Sequence, residues 1–486
     1  MAEREALHGA VPQRQHAEFH PGFLWVGLAA AVLGGFGLAG HLSVVIGFGH
    51  RVGPEFPTLV QAHGHAQLIG WAGMFVMAAS LHFIPRLASV PLRHPRWLGS
   101  ILWLMGTGLF LRMVGQPALA YLDGQMRHEV LRWFVVASGG LEAAGILLYL
   151  FLLLGSVRGA GDLRTQPAFG SVRPFFGMMV GGWLLFAGVN FYTLLDMGLR
   201  GRAVVNPAWD SFGIQAFLNL MLLPVALAFS VRLFPMVLAL SAAFWPVRRG
   251  AYIYLVGAGL QLASPALGLC GLEGRVPDLL AGFGGLIKGG VLLWFTWELD
   301  LLTRRRPVER PARFLQIGPD RPPTRPGLPD FGEFGRFELL VCSAYMWLVV
   351  AALGEILNSG AILATGAVWV DPSVVRHIYL LGFITLLIFG VSVRMLPGFL
   401  KRRAVAFPAL VEPTFWLGNT AVLFRVTPWI LPPVLQDLLP AVTALGRIAF
   451  GLSGIIALGA VCLLAVNLVW TARTLRSATA SPGVAP

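Results

Sequence analysis

The stretch HAQLIGWAGMFVMAASLHFIPRL, residues 65–87, is apolar for long enough to cross a lipid bilayer as a helix. Such a crossing needs about 20 apolar residues. Working outward from this stretch, we find twelve runs of this kind: 23–47, 64–86, 97–117, 131–154, 175–197, 212–234, 252–272, 279–299, 338–357, 377–399, 411–431 and 449–470. The chain is 12% charged, whereas soluble domains carry about 25% charged residues. The sequence therefore predicts an all-α polytopic membrane protein with about twelve transmembrane helices, and it excludes an ordinary soluble enzyme.

The opening stretch is one of three that share a template. The others are QAFLNLMLLPVALAFSVRLFPMV from Gln215 and HIYLLGFITLLIFGVSVRMLPGF from His377. At the same three spacings, each has a serine (Ser80, Ser230, Ser392), then a basic-capable residue (His82, Arg232, Arg394), then a proline (Pro85, Pro235, Pro397). A plainer interpretation is that proline ends each helix after an arginine. Because these runs are the second, sixth and tenth, we predict three four-helix repeats, at 23–154, 175–302 and 337–472.

The basic residues alternate between connections. They are concentrated in the loops after the even-numbered runs, as in Lys401, Arg402 and Arg403. The positive-inside rule then places both termini in the cytoplasm, as an even number of spans requires. Topology explains the net charge of +13 better than nucleic acid does. The segments 1–22, 303–336 and 473–486 are interpreted as a cytoplasmic tail, an Arg/Pro-rich linker that could lie on membrane lipid, and a disordered tail.

Five histidines lie toward the predicted outer side: His41, His50, His63, His65 and His377. An ionisable group at membrane depth is costly, so its presence asks for a reason. The ordinary structural explanation for such a histidine is a hydrogen bond to a neighbouring helix. His65 and His377, however, open two copies of the template, and neutral imidazole is the usual axial ligand of haem iron. Gly70 and Gly382, five residues after them, would let a flat macrocycle approach the backbone.

Other polar residues also lie at membrane depth. Lys288 is expected to pair with a carboxylate such as Glu142 or Glu355, because an unpaired buried charge would be expensive. A copper ion held by His63 with His41 or His50 is a further candidate. The three cysteines lie in apolar runs without CxxC spacing, so neither a disulfide framework nor a thiolate metal site is predicted.

The motif His63-Gly64-His65, with Gly70 and Pro85 after it, resembles the start of a span in the NnrS family of bacterial membrane proteins. The later motif of His377, Gly382 and Arg394 is also similar to that family. The chain departs from the family at Ala66, where an acidic residue is usual, and in its long linker. The resemblance implies a protein of the bacterial cytoplasmic membrane that contains haem, of the b type, and copper as a further cofactor. It also implies a link to nitric oxide metabolism and nitrosative stress.

The four-helix triplication also looks like subunit I of haem-copper oxidases, where histidines of spans 2 and 10 hold a low-spin haem. The matching residues here are His65 and His377. The oxygen-reducing centre of that superfamily is expected to be absent, since Gln215 opens span 6 and span 7 contains no histidine. Two rivals stay open. One is a transporter for a metal, haem or a small organic ion, and the other is a divergent reductase that uses His41, His50 or His63. The sequence does not indicate whether the chain is an enzyme or which protein partner it has.

Overall fold

The long helices of the structure, a computed structural model, fall at the twelve predicted runs. The structure describes residues 18–121, 125–160, 167–238, 240–241, 245–306, 332–430 and 439–474. In chain order the long helices are α1 (Gly22–Gly47), α2 (Phe56–Leu87), α3 (Pro95–Ala118), α4 (Met126–Val157), α5 (Arg173–Leu199), α6 (Pro207–Val237), α7 (Val247–Leu269), α8 (Arg275–Leu299), α9 (Phe337–Thr365), α10 (Pro372–Phe399), α11 (Val411–Ile430) and α12 (Pro440–Arg473). No β-strand occurs within these described ranges. The chain is an all-helical polytopic membrane protein.

Eleven of these helices are long and apolar enough to cross a membrane. The remaining one, α11, has 20 residues but is less apolar, because it carries Glu412, Asn419 and Arg425. It packs against α10 and α12 within the bundle. Most of the predicted tail 1–22, of the linker 303–336 and of the tail 473–486 lies outside the described residues.

The three template helices form the centre of the bundle. In their most apolar windows, 78% of the residues of α2, 67% of those of α6 and 72% of those of α10 are buried, against 22–50% in the other eight candidate spans. The other helices pack around them, and α12 returns to pack against α1. A central helix is shielded from lipid, so it can carry polar side chains that would be costly on the outside.

Each central helix contains a π-helical stretch near its start. These stretches are Ala66–Gly73 in α2, Phe217–Leu222 in α6 and Ile378–Thr385 in α10, and α1 has another at Ala30–Phe36. In α2 and α10 the stretch begins one residue after the template histidine, and in α6 it begins two residues after Gln215. A π turn rotates the following side chains away from their positions in a regular α-helix, and such turns are frequent at functional sites. His65, Asn219 and Tyr379, whose contacts are described below, lie in or beside these turns.

The contact between α1 and α12 depends on glycine. A Cβ atom at Gly454 would clash with the backbone carbonyl of Ala39, and one at Gly47 would clash with the backbone of Gly451. Ser43 Oγ donates to the Gly451 carbonyl across the same contact, at 3.0 Å. Small residues allow this backbone approach, which drives association where lipid removes the usual hydrophobic gain. The glycines therefore join the first and last helices.

We expect Gly454→Ala to destabilise the bundle by about 1–3 kcal/mol, because the added methyl group forces the two backbones apart. The measurement is the thermal unfolding midpoint of the detergent-solubilised protein. Gly40→Ala is the matched control, since a Cβ there would meet its nearest neighbour, Ile455, at an ordinary 3.7 Å. Equal midpoints for the two variants would contradict the close α1–α12 contact.

Candidate functional site

His377 is held near the start of α10 by a fixed loop. Asn358 of α9 accepts hydrogen bonds from the backbone N–H groups of Trp369 and Val370, at 3.0 and 2.7 Å, and donates to the Val370 carbonyl at 2.7 Å. The Asp371 side chain then caps α10 by accepting from Ser373 N at 2.7 Å. These hydrogen bonds fix the residue at which α10 begins and therefore the position of His377 in its first turns.

The partners of His377 define its protonation. Its Nδ1 lies 2.6 Å from the Ser373 carbonyl oxygen, and its Nε2 lies 3.0 Å from Arg425 Nη2. A carbonyl only accepts and a guanidinium only donates, so Nδ1 carries the proton and Nε2 carries the lone pair. His377 is therefore a neutral imidazole whose Nε2 faces a cation. This is also the tautomer that a metal ligand needs, with the second nitrogen oriented by a carbonyl.

His63 has the same kind of orientation. Its Nδ1 lies 2.8 Å from the Gly35 carbonyl of α1, which can only accept, so Nδ1–H is the donor. His63 and His377 are close enough to interact electrostatically, Arg425 acts on both rings, and Arg376 acts on His377. We call His63, His377, Arg376 and Arg425 the histidine cluster. It brings α2, α10 and α11 together at the end of the bundle where α2 and α10 begin.

His65 belongs to a second group. Its Nε2 donates to Glu142 Oε1 of α4 at 2.8 Å, and Asn190 of α5 donates to Glu142 Oε2 at 2.9 Å. Glu142 is fully buried and His65 is 8% exposed. Phe186 stacks on the His65 ring with a centroid separation of 6.2 Å. The imidazole is thus held between a carboxylate and an aromatic ring.

Arg112 of α3 completes this group. It is 2% exposed, and its Nε and Nη1 atoms are buried with no hydrogen-bond partner in the part of the chain that the structure describes. Glu142 and Asp210 of α6 attract it electrostatically, and Asp210 also interacts with His65 and Arg376. We call His65, Glu142, Asn190, Arg112 and Asp210 the carboxylate cluster. Asp210 and Arg376 join it to the histidine cluster.

A third group, the lysine cluster, surrounds Lys288 of α8. Lys288 Nζ lies 2.6 Å from Glu355 Oε1 of α9 and 2.8 Å from Asn219 Oδ1 of α6. Gln261 of α7 donates to the same Glu355 oxygen, and Tyr379 of α10 donates to the other, both at 2.6 Å. Five helices thus converge on one ion pair. Of the two carboxylates predicted for Lys288, Glu355 is its partner, and Glu142 instead pairs with His65.

The structure gives the two template glycines a packing role. A Cβ at Gly70 would lie 2.6 Å from the Cβ of Ala30 on α1, and one at Gly382 would lie 2.8 Å from the Cβ of Trp347 on α9. The close approach that each glycine permits is therefore made by a neighbouring helix. Their contact with a macrocycle stays a prediction.

His41 and His50 lie apart from the buried clusters, and both are exposed. In the described part of the chain, no group of three or more His, Cys, Asp or Glu residues is arranged to hold a metal ion. A copper ion on His63 with His41 or His50 would therefore need further ligands, and this site stays a prediction. The three cysteines are free.

Several residues of these three clusters could not be identified as cluster members from the sequence. Arg425 lies in the least apolar long helix, and Asp210 and Arg376 lie near helix starts where surface charge is ordinary. Asn219 and Tyr379 lie inside apolar runs, where a single polar residue attracts little notice. One signal was available: Asn219 and Tyr379 both lie within the first five residues of their templates.

Comparison with known proteins adds nothing to this geometry. The chain matches no protein-family model, and no curated protein is significantly similar to it.

We expect Lys288→Met to destabilise the protein by about 3–5 kcal/mol, because it leaves Glu355 buried without its cation. The double variant Lys288→Met/Glu355→Met should recover most of that loss, since replacing a whole buried pair by apolar residues is often neutral. The measurement is the unfolding midpoint of each variant in detergent. A double variant as unstable as the single one would show that the pair is not the main interaction at this site.

Proposed function

We propose that this chain is an integral membrane haem protein of the NnrS type, linked to nitric oxide metabolism or nitrosative stress. One observation carries the proposal: His63 and His377, from α2 and α10, are neighbouring imidazoles whose Nδ1 atoms both contact backbone carbonyls. This orientation makes Nε2 the nitrogen that each ring would offer to iron, and Arg425 would have to release Nε2 of His377 first. The NnrS resemblance of the motifs around these residues supports the same conclusion.

The residues present fit a haem in their donor chemistry. Two imidazoles suit the iron, and the buried guanidinium of Arg112, with two unpartnered nitrogens, suits a propionate carboxylate. Arg425 and Arg376 add positive charge beside His377. Of the two template histidines, His377 keeps its predicted role in this proposal. His63 is the favoured ligand from α2, because Nε2 of His65 carries a proton that it donates to Glu142, whereas Nε2 of His377 keeps its lone pair toward Arg425.

Bound haem would supply a one-electron centre and, where one imidazole is released, an open iron position for nitric oxide. The chain's residues would prepare that centre. The carbonyls of Gly35 and Ser373 orient the two rings, and the Glu142–His65 pair keeps a negative charge near Arg112. Copper, if bound, would use the exposed His41 or His50, because both nitrogens of His63 are already assigned in this proposal. A cytoplasmic-membrane location in a bacterium is part of the proposal.

We further propose that the twelve helices form three four-helix repeats with both termini in the cytoplasm. The central burial of α2, α6 and α10 supports the repeats, as do their π turns at matching template positions. The alternation of basic loops supports the orientation. In this arrangement the histidine cluster faces the periplasmic side.

We expect the purified protein to show a Soret absorption band that is lost in His377→Ala and in His63→Ala. His65→Ala should keep the band, because its imidazole serves Glu142 in this proposal. Arg112→Gln should lower haem retention without abolishing it, since it removes a propionate partner but no iron ligand. The measurement is the ratio of Soret to protein absorbance after reconstitution with haem b.

His41→Ala is the matched control, because His41 is an exposed histidine of the neighbouring helix. Loss of the band in His65→Ala but not in His63→Ala would restore the pairing of His65 with His377. A folded wild-type protein that stays colourless after reconstitution would refute the haem proposal altogether. If the protein does bind haem, nitric oxide consumption by the reduced protein above that of buffer would indicate an enzyme, and no consumption would indicate a binding protein.

The alternative function is transport of a metal, haem or small organic ion. The lysine cluster favours it, because a buried ion pair reached by five helices is the kind of group that coupled transporters use. Proteoliposomes that take up copper(I) or haem would support transport, with Lys288→Met/Glu355→Met as the inactive comparison. Uptake equal to that of empty liposomes would exclude these two substrates.

A further inference from the structure

A groove of about 700 Å³ opens on the surface between α5 and α7. Arg173 and Arg248, at the first turns of the two helices, line one end of it. Gly177 and Gly181 of α5 line one wall, and Leu220 of α6 is among its other lining residues. Both arginines and both glycines are exposed, so the groove faces the surroundings of the bundle and lies outside its core. It is distant in sequence from all residues of the histidine cluster.

The charged end of the groove offers two guanidinium groups. In the part of the chain that the structure describes, no carboxylate forms an ion pair with Arg173 or Arg248. Arg248 lies over the ring of Tyr252, 5.7 Å from its centroid. Ser171, which also lines the groove, accepts a hydrogen bond from Arg232 at 2.9 Å. Arg173 and Arg248 therefore line one polar end, and Arg232 of α6 contacts it through Ser171.

The rest of the groove is apolar and open. A Cβ atom at Gly177 or at Gly181 would have no neighbour within 4 Å. These two glycines are four residues apart, so they lie on the same face of α5. The missing side chains leave a channel along the helix, which extends from the arginines toward the middle of the span. Residues 173 and 181 are about 12 Å apart along α5 at 1.5 Å per residue.

We propose that this groove binds an anionic phospholipid, with its phosphate between Arg173 and Arg248 and an acyl chain along Gly177 and Gly181. Basic pockets between transmembrane helices recognise anionic headgroups in this way. A soluble anion would use the arginines but not the apolar channel, and a zwitterionic lipid would use the channel with less benefit from the arginines. The combination therefore favours a lipid with net negative charge. This site is independent of the proposed haem function.

The first experiment titrates delipidated full-length protein in detergent with phosphatidylglycerol and counts bound lipid by native mass spectrometry. We expect saturable binding that weakens about five-fold for each arginine removed in Arg173→Gln and Arg248→Gln. Arg158→Gln is the matched control, because Arg158 is an exposed arginine on the same side of the bundle, in the loop that precedes α5. Equal binding by the control and by both groove variants would overturn the proposal.

The second experiment blocks the channel and keeps the charges. Gly181→Leu should reduce phosphatidylglycerol binding, whereas Gly188→Leu should not, because Gly188 is an open position two turns further along the same face. These two glycine variants still test the proposal if an arginine variant fails to fold. Phosphatidylcholine bound as tightly as phosphatidylglycerol would refute the charge preference. Inorganic phosphate bound as tightly as the lipid would show a simple anion site and refute the acyl channel.

Discussion

The fold depends on pairing the charges that it buries. Lys288 with Glu355, and His65 with Glu142, place ionisable groups in a bundle whose surroundings are apolar. An isolated charge at such a depth is expensive, so each group must have its partner on another helix. The partners come from α4, α8 and α9, which pack around the central helices. The ion pairs therefore determine which faces of neighbouring helices pack together. Apolar packing between similar helices does not specify this as well.

Each central helix carries a polar side chain that contacts a charged group of a surrounding helix. His65, Asn219 and Tyr379 belong to α2, α6 and α10, at or beside the π turns of those helices. A π turn inserts one residue into a helical turn, which reorients the side chains on either side of it. The polar residues of three separate helices can then reach partners on α4, α8 and α9. Burial and local helix geometry together produce the clusters.

The sequence predicted the helices well because a bilayer-length apolar run has few alternatives. It also predicted that Lys288 would need a carboxylate and offered Glu355 among two choices. It could not choose between them, because the choice depends on which helices are adjacent in space. His63 and Arg425 were harder still: the role of His63 depends on a carbonyl of α1, and Arg425 lies in the least apolar of the long helices. Long-range neighbours of this kind leave no local pattern.

The three clusters differ in how completely their charged groups are satisfied, and that difference supports the proposed cofactor site. Glu355 receives Lys288, Gln261 and Tyr379, so the charges of the lysine cluster are paired with each other, and the atom left without a partner there, in the described part of the chain, is the neutral Gln261 Oε1. In the carboxylate cluster it is a cation that is unsatisfied, because two buried nitrogens of Arg112 have no hydrogen-bond partner among the described residues. The neighbouring histidine cluster places two arginines beside neutral imidazoles, and the carboxylates of Asp210 and Asp371 attract Arg376. A purely structural network would be expected to satisfy such groups. An anionic, metal-bearing ligand would complete both clusters at once, which is the physical reason to look for the cofactor there.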